Sequence, residues 1–255
     1  MRVFAITNQK GGVGKTATAV NLGASLAVNQ KRTLLVDLDP QSNATTGVGV
    51  TPSANAGSVY DVLISGLKIT EVIQKTEVPL LDIAPSSGDL AGAEIELVGM
   101  LSREKRLAKA LQDVADAYDY VLIDCPPSLG LLTVNALTAA HAVIVPLQCE
   151  YYALEGLARL FQTTDLIRAE LNPALQVAGI VLTMVDLRNN LAQQVAREVR
   201  THFPEQVFET TIPRNVRLSE APSHGKPIVL YDIHSKGALS YLALAREFLR
   251  REVRD

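Results

Sequence analysis

The stretch Lys10-Gly-Gly-Val-Gly-Lys-Thr16 lies between a short apolar run, Val3–Ile6, and an apolar, alanine-rich segment from Ala17 to Val28. Strand, glycine loop and helix, in that order, are the frame a phosphate-binding loop needs. Gly11, Gly12 and Gly14, with Val13 between them, let the backbone close around an anion. Their N–H groups and the helix start behind them face negative charge. Lys15 is then placed to reach the β- and γ-phosphates of a nucleotide, and the Thr16 hydroxyl to sit on Mg²⁺. In the ordinary form of this loop a glycine stands five residues before the Gly-Lys pair. Here that position is Gln9, and a second lysine, Lys10, occupies the front of the loop.

Two further segments end apolar runs in carboxylates. Leu34-Leu-Val-Asp-Leu-Asp39 places Asp37 and Asp39 two residues apart at a strand end, so their side chains point the same way. A turn-rich segment, Pro40 to Thr46, follows, of the kind that changes shape as a γ-phosphate and its metal come and go. Asp39 is the candidate for orienting the attacking water or touching the Mg²⁺ shell, and Asp37 for supporting the loop from behind. Tyr120-Val-Leu-Ile-Asp124 is an apolar strand ending in aspartate, and Asp124 is expected to bind Mg²⁺ through water. Pro126-Pro127 force an extended path after it, and Gly130 frees the next turn.

The predicted fold class is α/β: a doubly wound, mainly parallel sheet flanked by helices, in a single domain over residues 1–255. Short apolar runs at Val3–Thr7, Thr33–Leu38, Leu80–Ala84, Tyr120–Ile123, Ala142–Leu147 and Val177–Thr183 read as strands buried on both faces. Helical spacing relates Leu107, Leu111, Val114 and Tyr118, and also Leu191, Val195 and Val199. Ser58 is expected to cap a helix through Val59–Ile64. Leu239, Leu242 and Leu249 mark one side of a last helix, and residues 51–57 read as a surface loop. With 47% apolar residues, no Trp and few aromatics, packing rests on Leu, Val, Ile and Ala. Cys125 and Cys149 match no metal spacing and read as small buried residues, and the four histidines show no ligand pattern. No apolar run approaches the ~20 residues of a membrane span, and with Val3–Thr7 reading as a strand no signal peptide is expected. A cytoplasmic protein is expected.

The loop with lysine at its front resembles the deviant phosphate loop (Walker A type) of the ParA/MinD group of P-loop ATPases. All three motifs together are similar to those of the ParA/Soj partition ATPases. Pro146-Leu-Gln148, Thr183-Met-Val-Asp186 with Arg188, and the long segment from Ile212 to Pro227 extend the resemblance over nearly the whole chain. Two positions depart from it: Ala17 and Asn189 stand where threonine is common. The resemblance implies that Lys10 reaches across a dimer interface to the partner's nucleotide. It also implies that Pro213 and Asn215 line adenine, and that ATP and Mg²⁺ are the cofactors. The ATP-bound homodimer would bind double-stranded DNA non-specifically, a ParB/Spo0J-type partner would accelerate hydrolysis, and the protein would associate with the nucleoid.

Arg188, Arg214, Arg217 and Lys226 are the candidate DNA contacts. They stand in a stretch with six Lys/Arg and five Asp/Glu between Asp186 and Lys226, so composition alone marks no basic tract. With a net charge of −3, affinity for DNA would have to come from local phosphate contacts doubled by dimerisation. Two rival functions are a MinD-like membrane-positioning ATPase and a metabolic enzyme such as an amidoligase. The first needs an amphipathic basic C-terminal helix; the tail from Phe248 has arginines but little apolar surface, so no stable membrane association is expected. The second needs a small-molecule motif, and none is present.

Overall fold

A computed structural model describes residues 1–51, 57–150, 152–186 and 188–253. Most of the expected 51–57 loop and the last two residues of the tail lie outside that range.

Seven strands form one sheet: β1 (Arg2–Ile6), β2 (Thr33–Asp37), β3 (Gln74–Lys75), β4 (Leu81–Ala84), β5 (Tyr120–Asp124), β6 (Ala142–Gln148) and β7 (Gln176–Thr183). Their order is β3-β4-β2-β5-β1-β6-β7, parallel throughout apart from the edge pair β3–β4. The doubly wound, mainly parallel sheet expected from the sequence is therefore present. Every expected strand is found within a residue or two of its expected bounds. Leu80 is excluded from β4: it is exposed, with φ +67°, and turns the chain into the strand. The two-residue edge strand β3 is an addition, because so short a segment carries no period in the sequence.

The helices used below are α1 (Lys15–Val28), α2 (Asn43–Gly47), α3 (Val59–Ile64), α4 (Leu90–Leu97), α5 (Arg106–Leu111), α6 (Leu131–Ala139), α7 (Ala153–Glu170), α8 (Asn190–His202), α9 (Val216–Glu220) and α10 (Lys236–Glu252). One apolar core joins β1, β2, β4, β5 and β6 to α1 and α10, through residues such as Phe4, Leu22, Leu26, Tyr241 and Phe248. A second core, on the other side, takes in α3 to α8. Strands buried on both faces carry apolar side chains at every position, which is why they are legible as runs rather than alternations.

Local sequence explains several details. The Asp61 carboxylate accepts the Ser58 N–H at 2.8 Å, closing the start of α3 as the cap at Ser58 suggested. α5 ends at Leu111, a short 3₁₀ turn carries Val114, and Tyr118 lies past it, its hydroxyl donating to Asp82 at 2.7 Å. In α8, Val195 and Val199 are buried with Ala192 and Ala196, whereas Leu191 is exposed. The departure at Asn189 is also explained: its side chain caps α8, accepting from the N–H groups of Leu191 and Ala192. The last helix corrects the sequence reading. Its buried face is Ala238, Tyr241, Leu244, Ala245 and Phe248, while Leu239 is exposed and Leu242 and Leu249 sit at the rim.

Pro146 stands in mid-sheet, where a missing N–H normally costs a ladder bond. β1 pairs with β6 only over Phe4–Ile6, so the chain has already turned into the glycine loop beside Pro146. The Pro146 carbonyl accepts instead from Asn8 Nδ2 at 2.8 Å, which fixes the path into that loop.

Candidate nucleotide site

The carboxyl ends of β1, β2 and β5 meet at one edge of the sheet, where ligands bind in open α/β folds. The loop after β1 is shaped by Gly12 and Gly14, with φ of +74° and +87°, a region open to glycine at little cost. Asn8 Oδ1 accepts the Lys10 N–H, and Thr183 Oγ1 donates to the Val13 carbonyl at 2.8 Å. The loop is thus tied to the ends of both β6 and β7. α1 begins at Lys15, so the free N–H groups of its first turn face the loop's concavity.

The two lysines are sorted by burial. Lys15 is 7% exposed, and its ammonium donates to the Lys10 carbonyl at 3.0 Å. Burial lowers its pKa, opposed by Asp124, Cys125 and Asp39 nearby. Lys10 is exposed, and its ammonium is paired with Glu150 at the end of β6.

Asp37 and Asp124 are register partners on β2 and β5, and both are fully buried. Asp37 is satisfied: Oδ1 accepts the Asp39 N–H, and Oδ2 accepts the Thr45 N–H and hydroxyl at 2.8 and 2.7 Å. It holds the loop and α2 behind Asp39, the supporting role expected of it. Burial raises its pKa to about 6, against the pull of those bonds. Among the described residues neither Asp124 oxygen is paired in standard hydrogen-bond geometry, although the Thr16 hydroxyl acts on it from close by. Burial and then the Asp37 charge push its carboxyl well above the usual range, with the Thr16 hydroxyl and Lys15 opposing. Next to it, burial drives the Cys125 thiol upward.

A fully buried carboxylate with no better donor than a loosely placed threonine hydroxyl is a costly arrangement unless a cation completes it. These residues fit a divalent cation. No cluster of three or more His, Cys, Asp or Glu could cage a metal among the described residues. Mg²⁺ is commonly held by one or two carboxylates together with phosphates and water.

Asp39 is 8% exposed and opens the loop after β2. Its Oδ1 accepts the Gln41 N–H at 2.9 Å, and its carbonyl accepts the Ser86 hydroxyl at 2.7 Å. It acts electrostatically on both Lys15 and Asp124, so the structure brings the three together.

Beside Gly14 and Ala17 lies a mainly apolar cavity of about 320 Å³, also lined by Met184, Pro213, Asn215 and Leu218. Pro213 and Asn215 therefore reach the same side of the loop. Asn215 also caps α9, its Oδ1 accepting the Leu218 N–H at 3.3 Å. A larger cavity, about 760 Å³, opens between Arg2, Gln176 and Arg251, lined by residues from the amino ends of β1 and β7 and away from this chemistry.

The basic candidates are placed less simply. Arg188 grips Asp186 through Nε and Nη2 at 3.0 and 2.9 Å and pulls that carboxyl down to about 2. Arg217 is shared between Glu220 at 2.9 Å and Asp232 at 3.5 Å, and Lys226 is 3.9 Å from Glu77. Arg214 is exposed. Three of the four thus carry acidic partners rather than a bare positive face. Sequence reasoning overlooked Asn8, Thr45, Ser86, Glu150 and the Thr183 hydroxyl, which shape the site through contacts distant in sequence.

A family model described as an AAA domain matches residues 1–177. The chain is 57% identical to the chromosome partitioning protein ParA of Myxococcus xanthus, over 98% of this chain and 89% of that one. It is also 57% identical to the sporulation initiation inhibitor protein Soj of Bacillus subtilis, over 96% and 97%. Among solved structures, cobyrinic acid a,c-diamide synthase from Mycobacterium smegmatis with bound ADP and magnesium superposes with a TM-score of 0.86. That protein is 38% identical, over 99% of this chain and 96% of its own. Identity at this level over almost the full length, on a sheet that carries the phosphate loop and both acidic strand ends, makes the chain a member of the ParA/Soj family of partitioning ATPases.

Proposed function

We propose that the protein is an ATP-dependent dimerising switch. Its ATP-bound dimer binds DNA without sequence preference and drives chromosome or plasmid partitioning with a ParB-type partner. The observation that carries the proposal is the division of labour between two lysines of one loop. Lys15 is buried over the phosphate site of its own chain, whereas Lys10 stands outside, at the surface.

Each residue then has its part. Gly11–Thr16 wrap the phosphates, and Lys15 compensates their charge. The Thr16 hydroxyl and Asp124 hold Mg²⁺, which neutralises charge on the β- and γ-oxygens. Asp39 holds the attacking water in line, positioned by Asp37 and Ser86. Pro213 and Asn215 line the base. Lys10 bridges to the second subunit's phosphates, so the dimer lasts only as long as the γ-phosphate is there to be bridged. No side chain at the site is placed as a strong base, which supports slow turnover until a partner accelerates it. The whole chain would work as one ATPase domain.

The name of the Mycobacterium smegmatis protein favours a second reading, amide synthesis on a small molecule. The higher identity to the ParA and Soj proteins favours partitioning. A membrane role draws little support from α10, whose Tyr241, Leu244 and Phe248 are spent on the core; no helix among the described residues is long and apolar enough to cross a membrane. A gel-shift with non-specific duplex, run with ATP, with ADP and without nucleotide, tests the proposal. Retardation with ATP alone is expected. Equal retardation in all three lanes, or none, would overturn it.

A further inference from the structure

The segment that carries Pro213 and Asn215 starts far from the cavity it lines. From Gln206 to Arg214 the chain runs along the outer edge of β7. It is pinned near its start, where Ile180 donates its N–H to the Gln206 carbonyl at 2.8 Å and accepts the Phe208 N–H at 2.9 Å. The approach there is close: a Cβ on Gly179 would stand 2.5 Å from the Phe208 ring. The segment is pinned again near its finish. The Ile212 N–H donates to the Leu182 carbonyl at 2.8 Å, the Val185 N–H to the Ile212 carbonyl at 3.0 Å, and the Arg214 N–H to the Val185 carbonyl at 3.2 Å.

Between the two pins the main chain turns to α10 instead. The two oxygens of Glu247 accept the N–H groups of Glu209 and Thr210, each at 2.8 Å. Glu247 is 5% exposed, and a buried carboxylate is costly unless it is paired and hydrogen-bonded. Burial pushes its carboxyl up, yet those N–H groups and the Arg251 charge hold it below its ordinary value. Arg251, one turn on, donates to Glu247 and to the Val207 carbonyl, both at 2.8 Å, and its guanidinium lies 4.2 Å from the centroid of the Phe208 ring. The end of α10 thus grips the slack between the pins, three residues before Pro213. How that slack bends sets how far Pro213 and Asn215 reach over the cavity.

We infer that Glu247 is a positioning residue for the base of the nucleotide: it holds the turn that presents Pro213 and Asn215. This role rests on the reading of that cavity as the base site, and the two are tested apart. Calorimetric titration compares ATP with inorganic tripolyphosphate, each with Mg²⁺; the second has the phosphates and no base. Wild type should bind ATP the more tightly. Glu247→Gln keeps the shape of the side chain but sets one N–H against another donor. It should weaken ATP about fivefold, as expected for one lost hydrogen bond, and leave tripolyphosphate unchanged. A residue that served general stability alone would move both ligands or neither. Arg251→Met keeps the carboxylate and removes its ion-pair partner. It should shift ATP the same way, and it decides the matter if Glu247→Gln does not fold. Asn215→Ala controls for the base reading and should also weaken ATP while sparing tripolyphosphate. Unchanged ATP affinity in Asn215→Ala overturns that reading, and the role of Glu247 with it. If Asn215→Ala behaves as expected but the α10 variant leaves ATP unchanged, or weakens tripolyphosphate as much, only the assignment of Glu247 is overturned.

Discussion

The Lys10 ammonium is paired with the carboxylate of Glu150, a residue 140 positions away at the end of β6. Both side chains are about half exposed, so the pair itself is weak, within about 0.2–1 kcal/mol. On the proposed dimer reading it has to open before Lys10 can reach a second subunit. Glu150→Gln should therefore tighten the ATP-dependent dimer by about 2- to 30-fold, since two such pairs open per dimer. Lys10→Ala should block dimerisation. Light scattering over a protein titration checks both, and a Lys10→Ala chain that dimerises normally would remove Lys10 from the interface.

Lys15 is the buried lysine of the glycine loop, and its ammonium donates to the Lys10 carbonyl. Lys15→Gln keeps a donor but loses the charge. Calorimetric titration should then find ATP binding abolished, at least 10²-fold weaker than wild type. Unchanged affinity would show that the loop amides alone hold the phosphates.

Asp124 is a fully buried carboxylate in register with a second one, and burial disfavours its charged form. Asp124→Asn removes that burial cost from the nucleotide-free fold. Its Tm at pH 7 without nucleotide should rise, by roughly 2–4 °C for each kcal/mol of relief. The same change should erase the dependence of ATP affinity on Mg²⁺. A lower Tm together with intact Mg²⁺ dependence would refute both the stored cost and the metal role.

Asp39→Ala should leave ATP-bound dimers that turn over at least about 10²-fold more slowly, as expected for loss of the group that positions the nucleophile. Because the Asp39 carbonyl, not its side chain, receives the Ser86 hydroxyl, the loop should keep its path. Single-turnover hydrolysis at the wild-type rate would take Asp39 out of the chemistry.

These four positions show how much of the site is legible in the sequence. Lys15, Thr16, Asp39 and Asp124 are readable because each follows a strand end at a spacing that geometry imposes. Glu150 is not, since nothing local marks a carboxylate that meets its partner 140 residues away. The helix α10 misleads for a different reason. Its leucines advertise one face, but the helix packs on α1, where the Tyr241 hydroxyl lies 3.3 Å from that of Thr18, and sets the Phe248 ring edge-on against Phe4 and Tyr120. Those partners lie far off in sequence, and a hydropathy pattern within one helix does not contain that information. Likewise the cavity beside the glycine loop joins Gly14 to Met184 and Pro213, a juxtaposition made by the tertiary fold.

Arg217→Glu should spare hydrolysis and weaken DNA binding at every sequence. Charge reversal in a dimer removes two phosphate contacts, so the slope of log affinity against log salt should fall by about 2. The structure adds a refinement: Glu220→Gln frees Arg217 from its nearest acid and should strengthen binding slightly. Filter binding at two salt concentrations checks both, and an unchanged slope would clear Arg217 of phosphate contact.

The bond from the Thr183 hydroxyl to the Val13 carbonyl ties the backbone of the glycine loop to the end of β7. Thr183 and the next residue, Met184, also line the cavity beside Gly14 and Ala17. On the proposed reading, whatever seats in that cavity would bear directly on the backbone that shapes the loop, so the fit of a base would be felt at the phosphates.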